Sequence, residues 1–446
     1  MDMNMFIDRV LEAAMAAGID TAEVYCQTGE NFRASAMDGE INQYQVSTSA
    51  GLSLRGTVAG KMGYSATQAF DEAAIRQLIE GVKESAALVE ANEQDEIFAG
   101  DEAYPEIPKA ESDLKNVTPE QKLALCLAME RAAKEADPRI WKVQRAMVMT
   151  GANTIRIKNS YGLDLSDSGS VCMAYAAPIA KEGDKTVTGG HMVAGSQFAA
   201  LNAEAIGKKA VEETVCQLGG KSVPGGEYRI IMRNDAMQSL LSTFAGVFSA
   251  ENAQQKMSLL DGKEGTVIAS EAVTLMDDPL LPGGFGTQRF DSEGSASITK
   301  AIIDKGVLTT LLHNRKTARK QGVKSTANAS RANYTAPVRV APTNFFFKPG
   351  EKDLAGLMAD VGNGLVVTDL AGLHSGANPT SGDFSLLAKG YTIEDGQRGH
   401  AVEQITVAGN FYEVLKAVVA VGSDLEFPGD SIGSPSVDIG TLKVSG

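Results

Sequence analysis

The chain has 446 residues, of which 43% are hydrophobic, and its formal net charge is −15 at pH 7. A chain of this length can bury more than one sizeable core, so we expect two or three domains. The excess of acidic residues opposes attraction to a phosphate backbone, which argues against nucleic acid as a partner.

The cysteines and the N-terminus indicate the compartment. Four cysteines, Cys26, Cys126, Cys172 and Cys216, are widely spaced without a CxxC motif, which is typical of reduced thiols in a cytoplasmic protein. The first residues carry acids where a signal peptide needs basic residues, and no apolar run approaches about 18 residues. We therefore expect a cytoplasmic protein without a membrane span.

Residues 1–95 are predicted to form a first α+β unit. A helix ending at Gly18 is predicted by apolar residues at helical spacing: Phe6, Val10, Leu11 and Ala14. Five short strands follow within residues 23–66, broken by turn residues such as Gly29 and Gly60 and by a hairpin turn at Asp38 and Gly39, where positive φ is tolerated. A second helix, which would cover the sheet, is predicted by another apolar stripe: Ile75, Leu78, Ile79, Val82 and Ala86.

Residues 96–117 are acidic, contain proline and lack a periodic apolar pattern, so we predict a linker or a surface wrap. Residues 118–218 are predicted to form a second α+β unit that resembles the first in outline. Its first helix opens with a capping box at Thr118 and Gln121. The apolar side of this helix is predicted to be Leu125, Met129, Ala132 and Ala136. Strands and a helix over residues 202–217 complete the unit.

Residues 219–226 are rich in glycine and form a predicted hinge. Beyond it, residues 227–446 contain many short apolar runs separated by Gly, Pro and Asp, which predicts a mostly β domain. The predicted fold class is therefore α+β, with an N-terminal α+β region of two similar units followed by a mostly β C-terminal domain.

A helix is predicted over residues 234–248. Its apolar residues fall on one face, as expected for a helix packed on a core: Met237, Leu240, Leu241, Phe244 and Phe248. The helix contains no His and no Glu. It therefore has no His or Glu to hold or serve a metal, and Ser242 has no His or acidic neighbour to activate it as a nucleophile.

Two polar loops are candidates for binding a peptide. Residues 325–333 offer many small hydrogen-bonding side chains, as a peptide groove would, although a long surface loop explains them as well. Residues 372–378 form a second loop of small polar residues around His374. The candidate peptide-binding residues in the two loops are Ser325, Asn328, Arg331, His374 and Asn378.

The marked basic cluster of the chain is at residues 313–320. It could face a phosphate or an acidic partner, and a solvated helix face explains it equally well.

Several short motifs, taken in order, resemble the TldD/PmbA family. They are residues 51–56 (Gly-Leu-Ser-Leu-Arg-Gly), 60–64 (Gly-Lys-Met-Gly-Tyr), 157–162, 277–279, 290–294, 325–331, 381–385 and 432–437. No single motif is diagnostic. Their order along nearly the whole chain carries the resemblance, and the last two look like the ending of PmbA (TldE) members.

The resemblance implies a role in peptide processing. In this family the TldD subunit binds zinc through an HExxxH helix and a later cysteine, and the PmbA subunit lacks them and pairs with TldD. Here the motif positions are occupied by Leu241, Ser242 and Gly246, and the cysteine position falls in residues 426–431, which contain no cysteine. None of these can bind zinc or act as its base.

The resemblance therefore implies a non-catalytic subunit of a TldD-type zinc metalloprotease complex that acts on unfolded peptides or small proteins. It implies no catalytic residue, no metal and no cofactor on this chain. The expected partner is a TldD-like zinc-bearing subunit, or otherwise a second copy in a homodimer, with an unfolded peptide as substrate. Two alternatives stay open: a peptide-binding or scaffold homodimer, and a stand-alone peptidase with a site around His374 and Asp383.

Overall fold

The computed structural model of this chain describes residues 2–89, 95–108 and 112–446. Met1, residues 90–94 of the first predicted unit and residues 109–111 of the predicted linker lie outside the described residues. None of the helices in the described ranges is long and apolar enough to cross a membrane. All four cysteines are free thiols, and Cys216 is exposed whereas the other three are buried.

The N-terminal half is built on one antiparallel sheet. Its elements are α1 (Met3–Ala16), β1 (Thr21–Met37), β2 (Glu40–Val58), β3 (Lys61–Thr67), α2 (Glu72–Leu88), α3 (Pro119–Ala136), β4 (Ile140–Asn159), β5 (Asp164–Glu182), β6 (Lys185–Thr188), β7 (His191–Gly195) and α4 (Ala203–Val215). The strand order is β3-β2-β1-β4-β5-β6, with β7 also paired to β5. Since β1 pairs with β4 over 14 residues, from Glu23 with Asn159 to Ala36 with Ala146, the two predicted units share one sheet.

The strands are longer than the sequence pattern predicts. The predicted turn at Asp38 and Gly39 is present, and both residues have positive φ, as a two-residue hairpin loop requires. The predicted break at Gly29 is wrong, because this residue is paired on both sides, with Ser49 of β2 and Asn153 of β4. Pairing on both sides keeps Gly29 extended, and residues 49 and 50 of β2 are likewise paired with β1, so the five short predicted strands become three.

The helices lie in two groups along the sheet. The predicted stripes of α1 and α2 are buried, apart from half-buried Ile79, and they pack on one end of β1 and β2. The capping box of α3 is present at Thr118 and Gln121. The predicted apolar side of α3 is confirmed at buried Met129 and at half-buried Leu125, which packs against the same core, and is wrong at exposed Ala136. The other buried residues of this helix are Cys126, Glu130 and Ala133. Buried Glu130 accepts hydrogen bonds from the N–H of Gly39 at the hairpin tip, a tertiary contact that rotates the buried face.

The C-terminal part is described throughout and is dominated by strands. Its elements are β8 (Gly226–Met232), α5 (Asn234–Phe244), α6 (Ala250–Gln254), β9 (Leu275–Asp277), β10 (Lys300–Asp304), β11 (Val307–Leu308), α7 (Arg315–Gln321), β12 (Ala329–Ser330), β13 (Arg339–Val340), β14 (Phe345–Phe347), α8 (Leu354–Val361), β15 (Gly364–Ala371), α9 (Leu373–Gly376), β16 (Asp383–Glu394), β17 (Gln397–Asn410), α10 (Phe411–Ala417), β18 (Ala420–Val421), β19 (Ile432–Gly433) and β20 (Val437–Ser445).

These strands form two main sheets around one core. The larger has the order β17-β16-β15-β8-β20-β18, and β17 also pairs with β20, so the sheet curls back on itself. The smaller has the order β11-β10-β9-β14-β19. The predicted apolar stripe of residues 234–248 is confirmed, since all five of its residues are completely buried between the sheets. The predicted α+β fold class is confirmed.

The described part of the predicted linker, residues 95–108, lies on the C-terminal part. The hydroxyl of Tyr104 donates a hydrogen bond of 2.8 Å to the carbonyl of Gly294, and its ring packs edge-on against Phe290. Pro105 accepts a hydrogen bond from Arg289 at 3.1 Å. These contacts fix the segment along the junction of the two halves of the molecule.

Candidate functional site

Helix α5 has two chemically different faces. Leu241 is completely buried in the core, whereas Ser242 and Gly246 are exposed. The α-helix ends at Phe244 and continues as a 3-10 turn over Ala245–Phe248, so Gly246 lies in the turn and not in the helix proper. Of the three positions that match the metal motif, two therefore face solvent and one faces the core.

The open face of α5 is bordered by the loop and helix that follow it. Asn252 donates a hydrogen bond of 2.8 Å to the carbonyl of Gly246. Beside it, the carboxylate of Glu251 pairs with Arg339 of β13 at 3.0 Å. This border is polar and partly exposed, as the margin of a binding surface is.

Residues 426–431, which match the position of the cysteine, lie near the start of α5. Strand β19, which follows them directly, packs against α5. Burial raises the pKa of Glu426, and the negative charges of Asp235 and Asp424 raise it further. On the other side, a Cβ on Gly429 would lie 2.4 Å from the methyl carbon of Met173 in β5. The segment thus lies between the C-terminal core and the N-terminal sheet, with Glu426 and Asp430 exposed.

The residues of this site do not fit a bound zinc ion. Zinc in proteins is held by His, Cys, Asp or Glu, and Leu241, Ser242 and Gly246 supply none of these ligands. Within residues 2–89, 95–108 and 112–446, no three side chains of these ligand types are grouped so that they could hold a metal ion.

The loop at residues 325–333 lies between the two halves of the molecule. Asn328 is almost completely buried, and its amide donates to Asp277 at 2.8 Å and to the carbonyl of Ala341 at 3.1 Å. Its oxygen accepts from Thr326 at 2.8 Å. Half-buried Ser325 donates to the carbonyl of His313. All of these hydrogen bonds of Asn328 and Ser325 are made to other residues of the C-terminal part.

The side chain of Arg331 extends from this loop and contacts residues of the N-terminal sheet. Its guanidinium lies 4.6 Å from the ring centre of Tyr25, donates to Ser53 at 3.3 Å and pairs with Glu23 at 3.5 Å. Glu23 is completely buried and also pairs with Arg55 at 2.7 Å. A buried ion cluster therefore joins the two halves.

The C-terminal part contributes two carboxyl groups to this cluster. Glu293 lies 3.8 Å from Arg55, and both are buried. Burial raises the pKa of Glu293. Burial and the neighbouring charge of Glu293 raise the pKa of Asp291 to about 7, although three backbone N–H groups that donate to Asp291 act in the opposite direction. Carboxyl groups this far from water ionise reluctantly.

The second candidate loop connects β15 to β16. His374 is exposed in α9, and Asn378 is exposed with its side-chain oxygen accepting from the N–H groups of Thr380 and Ser381. The carboxylate of Asp383 accepts hydrogen bonds from Ser381 and Asn410, which lower its pKa, with Asn410 the larger cause. The partners of Asp383 are thus these two side chains and not His374.

The basic cluster at residues 313–320 is largely engaged. Arg315 and Arg319 of α7 each pair with Glu96, at 3.2 and 3.3 Å. The guanidinium of Arg315 also lies 3.7 Å from the ring centre of Phe98. The cluster holds residues 95–108 in place, a role that neither sequence interpretation included.

Sequence reasoning missed the buried ions Glu23, Arg55 and Glu293. A signal was present at Arg55, which interrupts an apolar run in β2. A charged residue in such a position is usually paired when it is buried.

The comparisons with known proteins agree with this geometry. Family models match three consecutive parts of the chain: PmbA/TldA metallopeptidase domain 1 over residues 22–86, the central domain over 112–218 and the C-terminal domain over 225–446. The chain belongs to the PmbA/TldD family.

Similar proteins include a Metalloprotease PmbA homolog of Haemophilus influenzae, 25% identical over 100% of this chain and 96% of its own. A Metalloprotease of Methanothermobacter thermautotrophicus is 33% identical, over 54% of this chain and 56% of its own. A Metalloprotease TldD homolog of Haemophilus influenzae is 24% identical over 96% and 93% of the two chains.

Solved structures share the whole fold. A Thermotoga maritima protein described as a modulator of a DNA gyrase is 30% identical, with a TM-score of 0.93 over 100% of both chains. TldE of Thermococcus kodakarensis has a TM-score of 0.90 at 22% identity, over 99% of this chain and 100% of its own.

Proposed function

We propose that this chain is the non-catalytic, PmbA/TldE-type subunit of a TldD-type metallopeptidase that acts on unfolded peptides. The observation that carries the proposal is the chemistry of α5, where Leu241, Ser242 and Gly246 occupy the positions of the family's zinc motif. Leu241 is part of the hydrophobic core, so a polar ligand there would have to displace packed side chains. The chain keeps the family's scaffold and has a different surface where the metal chemistry belongs.

In this role the chain would shape the peptide site from the side opposite the metal. The exposed face of α5, bordered by Asn252 and Glu251, is the surface available for this. Of the candidate peptide-binding residues, His374 and Asn378 are exposed and accessible to a substrate. Asn328 and Arg331 support the proposal differently, because they fix the position of the C-terminal part on the N-terminal sheet.

The edges of the C-terminal sheets are poorly suited to bind a peptide as an added strand. Their outermost strands, β11, β18 and β19, are two residues long. The outer side of the long strand β17 is paired with β20 at residues 406–408, and Lys221 exchanges backbone hydrogen bonds with Ala401 and Glu403. An extended peptide needs a longer free edge to gain several backbone hydrogen bonds.

The test is native mass spectrometry with metal analysis of the tagged chain purified from its own cells, followed by a peptidase assay on an unfolded peptide. We expect a complex with a second subunit of similar size that carries zinc, and cleavage only by the complex. Cleavage by the purified chain alone would overturn the proposal in favour of a stand-alone peptidase. A homodimer that binds peptide without hydrolysis would overturn it in favour of a scaffold protein.

His374→Ala and Asp383→Asn separate these outcomes within the same assay. If the chain is non-catalytic, the two variants change substrate affinity at most and leave the turnover of the complex within about twofold of wild type. A loss of turnover of about a hundredfold or more would place the chemistry on this chain.

A further inference from the structure

The N-terminal sheet has a face that its helices do not cover. Val24 of β1 lies in one hydrophobic cluster with α1 and α2, and Ala34 of the same strand lies in another with α3 and α4. Successive residues of a strand point to opposite faces, so all four helices pack on the face of the even-numbered residues. On the other face, the C-terminal part covers Tyr25 at one end. Most of the rest of that face is exposed or half-buried.

The register of the sheet places a group of methionines on this second face. Residues directly opposite each other on neighbouring strands lie on the same face. In one row across the sheet, Arg33 pairs with Met149, which pairs with Met173. The next row continues the group from β4 to β7. The methionine face is the surface formed by six residues: Arg33, Met147, Met149, Met173, Tyr175 and Met192.

The methionines suit a ligand whose side chains vary. Met147 is buried, whereas Met149, Met173 and Met192 are half-buried and reach the surface. Methionine is unbranched and has a polarizable sulfur, so it adapts to apolar groups of different shapes. A folded partner presents one fixed surface, which rigid branched side chains match equally well. Unfolded peptides present different side chains from one substrate to the next, so an adaptable face fits them better.

The charge of this face favours a peptide that carries a carboxylate. The odd-numbered positions of residues 31–37, 43–49, 145–153 and 169–177 include Arg33 and Arg145 and no Asp or Glu, in a chain with a net charge of −15. Within the described ranges the two guanidinium groups have no ion pair or hydrogen bond, and Nε of Arg33 is buried. A buried N–H without a partner is costly, and a carboxylate would supply a strong one.

The methionine face continues to the segment that matches the family's cysteine position. A Cβ on Gly429 would lie 2.4 Å from the methyl carbon of Met173 and 3.0 Å from that of Met192. Residues 426–431 therefore border the face, and β19, which follows them, packs against α5. This border lies over β5 and β7, and β5 is two strand spacings, about 10 Å, from Arg33 in β1. A peptide on the face is thus directed from Arg33 toward the candidate site.

We infer that an unfolded peptide segment binds across the methionine face, with its apolar side chains against Met149 and Met173 and a carboxylate against Arg33. The inference deepens the proposed function and rests on it only in that the substrate is an unfolded peptide. The carboxylate belongs either to an acidic side chain or to the C-terminus of the peptide. Probes that carry it at one position or the other distinguish these sources.

Binding of a defined peptide tests the apolar contacts. The probe is a short fluorescein-labelled peptide with Leu, Phe and one central Glu and an amidated C-terminus, measured by fluorescence anisotropy on the full chain and on the purified complex. Met149→Gln with Met173→Gln keeps the side-chain length and removes apolar contact, so Kd should rise about tenfold. Met149→Leu with Met173→Leu should stay within about threefold of wild type. Met15→Gln, at a methionine 42% exposed in α1, is the matched control and should not change Kd.

The charge is tested by changing the probe and the chain together. Replacing the central Glu of the probe by Gln should weaken binding to the wild type about fivefold. The same replacement should have no effect on binding to Arg33→Gln. Arg76→Gln, at an exposed arginine of α2, should keep the preference for Glu. A probe with Gln in the centre and a free C-terminus regains the affinity only if the terminal carboxylate is the group bound. Equal affinity of all three probes for the wild type would contradict the contact with Arg33.

Cross-linking locates the peptide without any substitution in the chain. The Phe of the probe is replaced by benzoylphenylalanine, and the linked residues are identified by mass spectrometry after irradiation. We expect links to the strands that carry Met149, Met173 and Met192. Links confined to residues 372–378 or to other surfaces would overturn the inference, as would unchanged binding by the Gln double variant.

The outcomes separate this inference from the proposed function. A zinc-bearing complex that cleaves peptide, with links only outside the methionine face, would overturn the inference and leave the proposed function standing. A chain that binds peptide on this face and never associates with a zinc-bearing subunit would do the reverse. If association with a second subunit displaces the probe from the methionines, the face is a subunit contact and the inference is wrong.

Discussion

Strands β1 and β2 differ sharply between their two ends. At the end that meets the C-terminal part, Glu23 and Arg55 are charged and buried. At the hairpin end, Tyr44 and Val46 are largely apolar and exposed. The usual relation between polarity and burial is thus reversed at both ends of the same pair of strands.

The reversal shows that burial in this sheet is decided by what covers it. Glu23 is buried because Arg331 comes from the C-terminal part to meet it, and each ion has a partner that offsets part of the desolvation cost. At the other end no described element covers the edge of β2. Substitutions at either end of these strands test this explanation, because they change the contacts on which burial depends.

The largest effect is expected at the buried end. Arg55→Ala removes the nearer of the two arginine partners of Glu23 and the arginine that pairs with Glu293, which should cost about 3–5 kcal/mol of stability. Urea unfolding followed by fluorescence and circular dichroism should show an earlier transition, or two transitions as the halves separate. Arg156→Ala, which breaks a partly exposed pair with Asp164, is the control and should cost less than about 1 kcal/mol. Equal effects of the two variants would contradict the importance of the buried cluster.

The next largest effect on stability is expected at Gly51, which lies between the buried and the exposed ends of β2. A Cβ on Gly51 would lie 2.1 Å from the ring of Tyr334, whose carbonyl accepts a hydrogen bond from the hydroxyl of Tyr64. Gly51→Ala should therefore cost about 1–3 kcal/mol, as overpacking does. Thermal unfolding of Gly51→Ala with and without Tyr334→Ala checks the contact, because the double variant should recover part of the loss. Gly195→Ala, in a strand with open space around it, should change stability by less than about 0.5 kcal/mol.

The buried end should also respond to pH. The folded pKa of Asp291 is raised to about 7, above an unfolded value of about 3.9. The folded state therefore holds an extra proton between these values. The stability that this proton contributes is complete below about pH 4 and is lost as pH rises through about 7. Relative to Asp291→Asn, the wild type should lose up to about 1.4 kcal/mol per pH unit across this window.

Urea midpoints measured at several pH values between 4 and 8 check this prediction. Asp291→Asn also loses the hydrogen bond from the N–H of Ala329 to the second carboxyl oxygen, so it should be less stable than the wild type near pH 4, and this difference should shrink as pH rises. The informative quantity is thus the slope and not the offset. Parallel pH profiles for the two proteins would show that Asp291 is ionised throughout.

The smallest effect on stability is expected at the exposed end. Val46→Lys alters a side chain that is 56% exposed, so the free energy of unfolding of the isolated chain should stay within about 0.5 kcal/mol of wild type. Chemical denaturation at low protein concentration measures it. A larger loss would mean that the strand is already covered by a contact within the same chain.

Local sequence signals predicted local structure well. The Asp38 and Gly39 turn, the capping box at Thr118 and the buried stripe of α5 each depend on a few neighbouring residues. The errors were in quantities that depend on distant residues. Gly29 stays in a strand because β2 and β4 pair with it, and Glu130 is buried because Gly39 donates to it.

At the candidate site, too, the identities of residues could be predicted from the sequence, whereas contacts between distant residues could not. The identities of Leu241, Ser242 and Gly246 are readable in the sequence, and with them the mismatch to the family's zinc motif. The sequence also predicted that Leu241 faces the core, whereas the position of Gly246 in a 3-10 turn after Phe244 became visible only in the structure. Arg331 was predicted to lie in a peptide-binding loop, and its contacts with Glu23 and Tyr25 became visible only when both halves were assembled.

The sequence by itself determined the fold class, the main helices and turns, the family resemblance and the absence of His and Glu on α5. These follow from periodicity, turn chemistry and residue identity, which act over a few positions. Only the tertiary structure decided that two predicted units share one sheet, that charges of β1 and β2 are buried at one end, and that their apolar residues are exposed at the other. Burial is a property of the elements that cover a residue, and those elements lie hundreds of positions away in the chain.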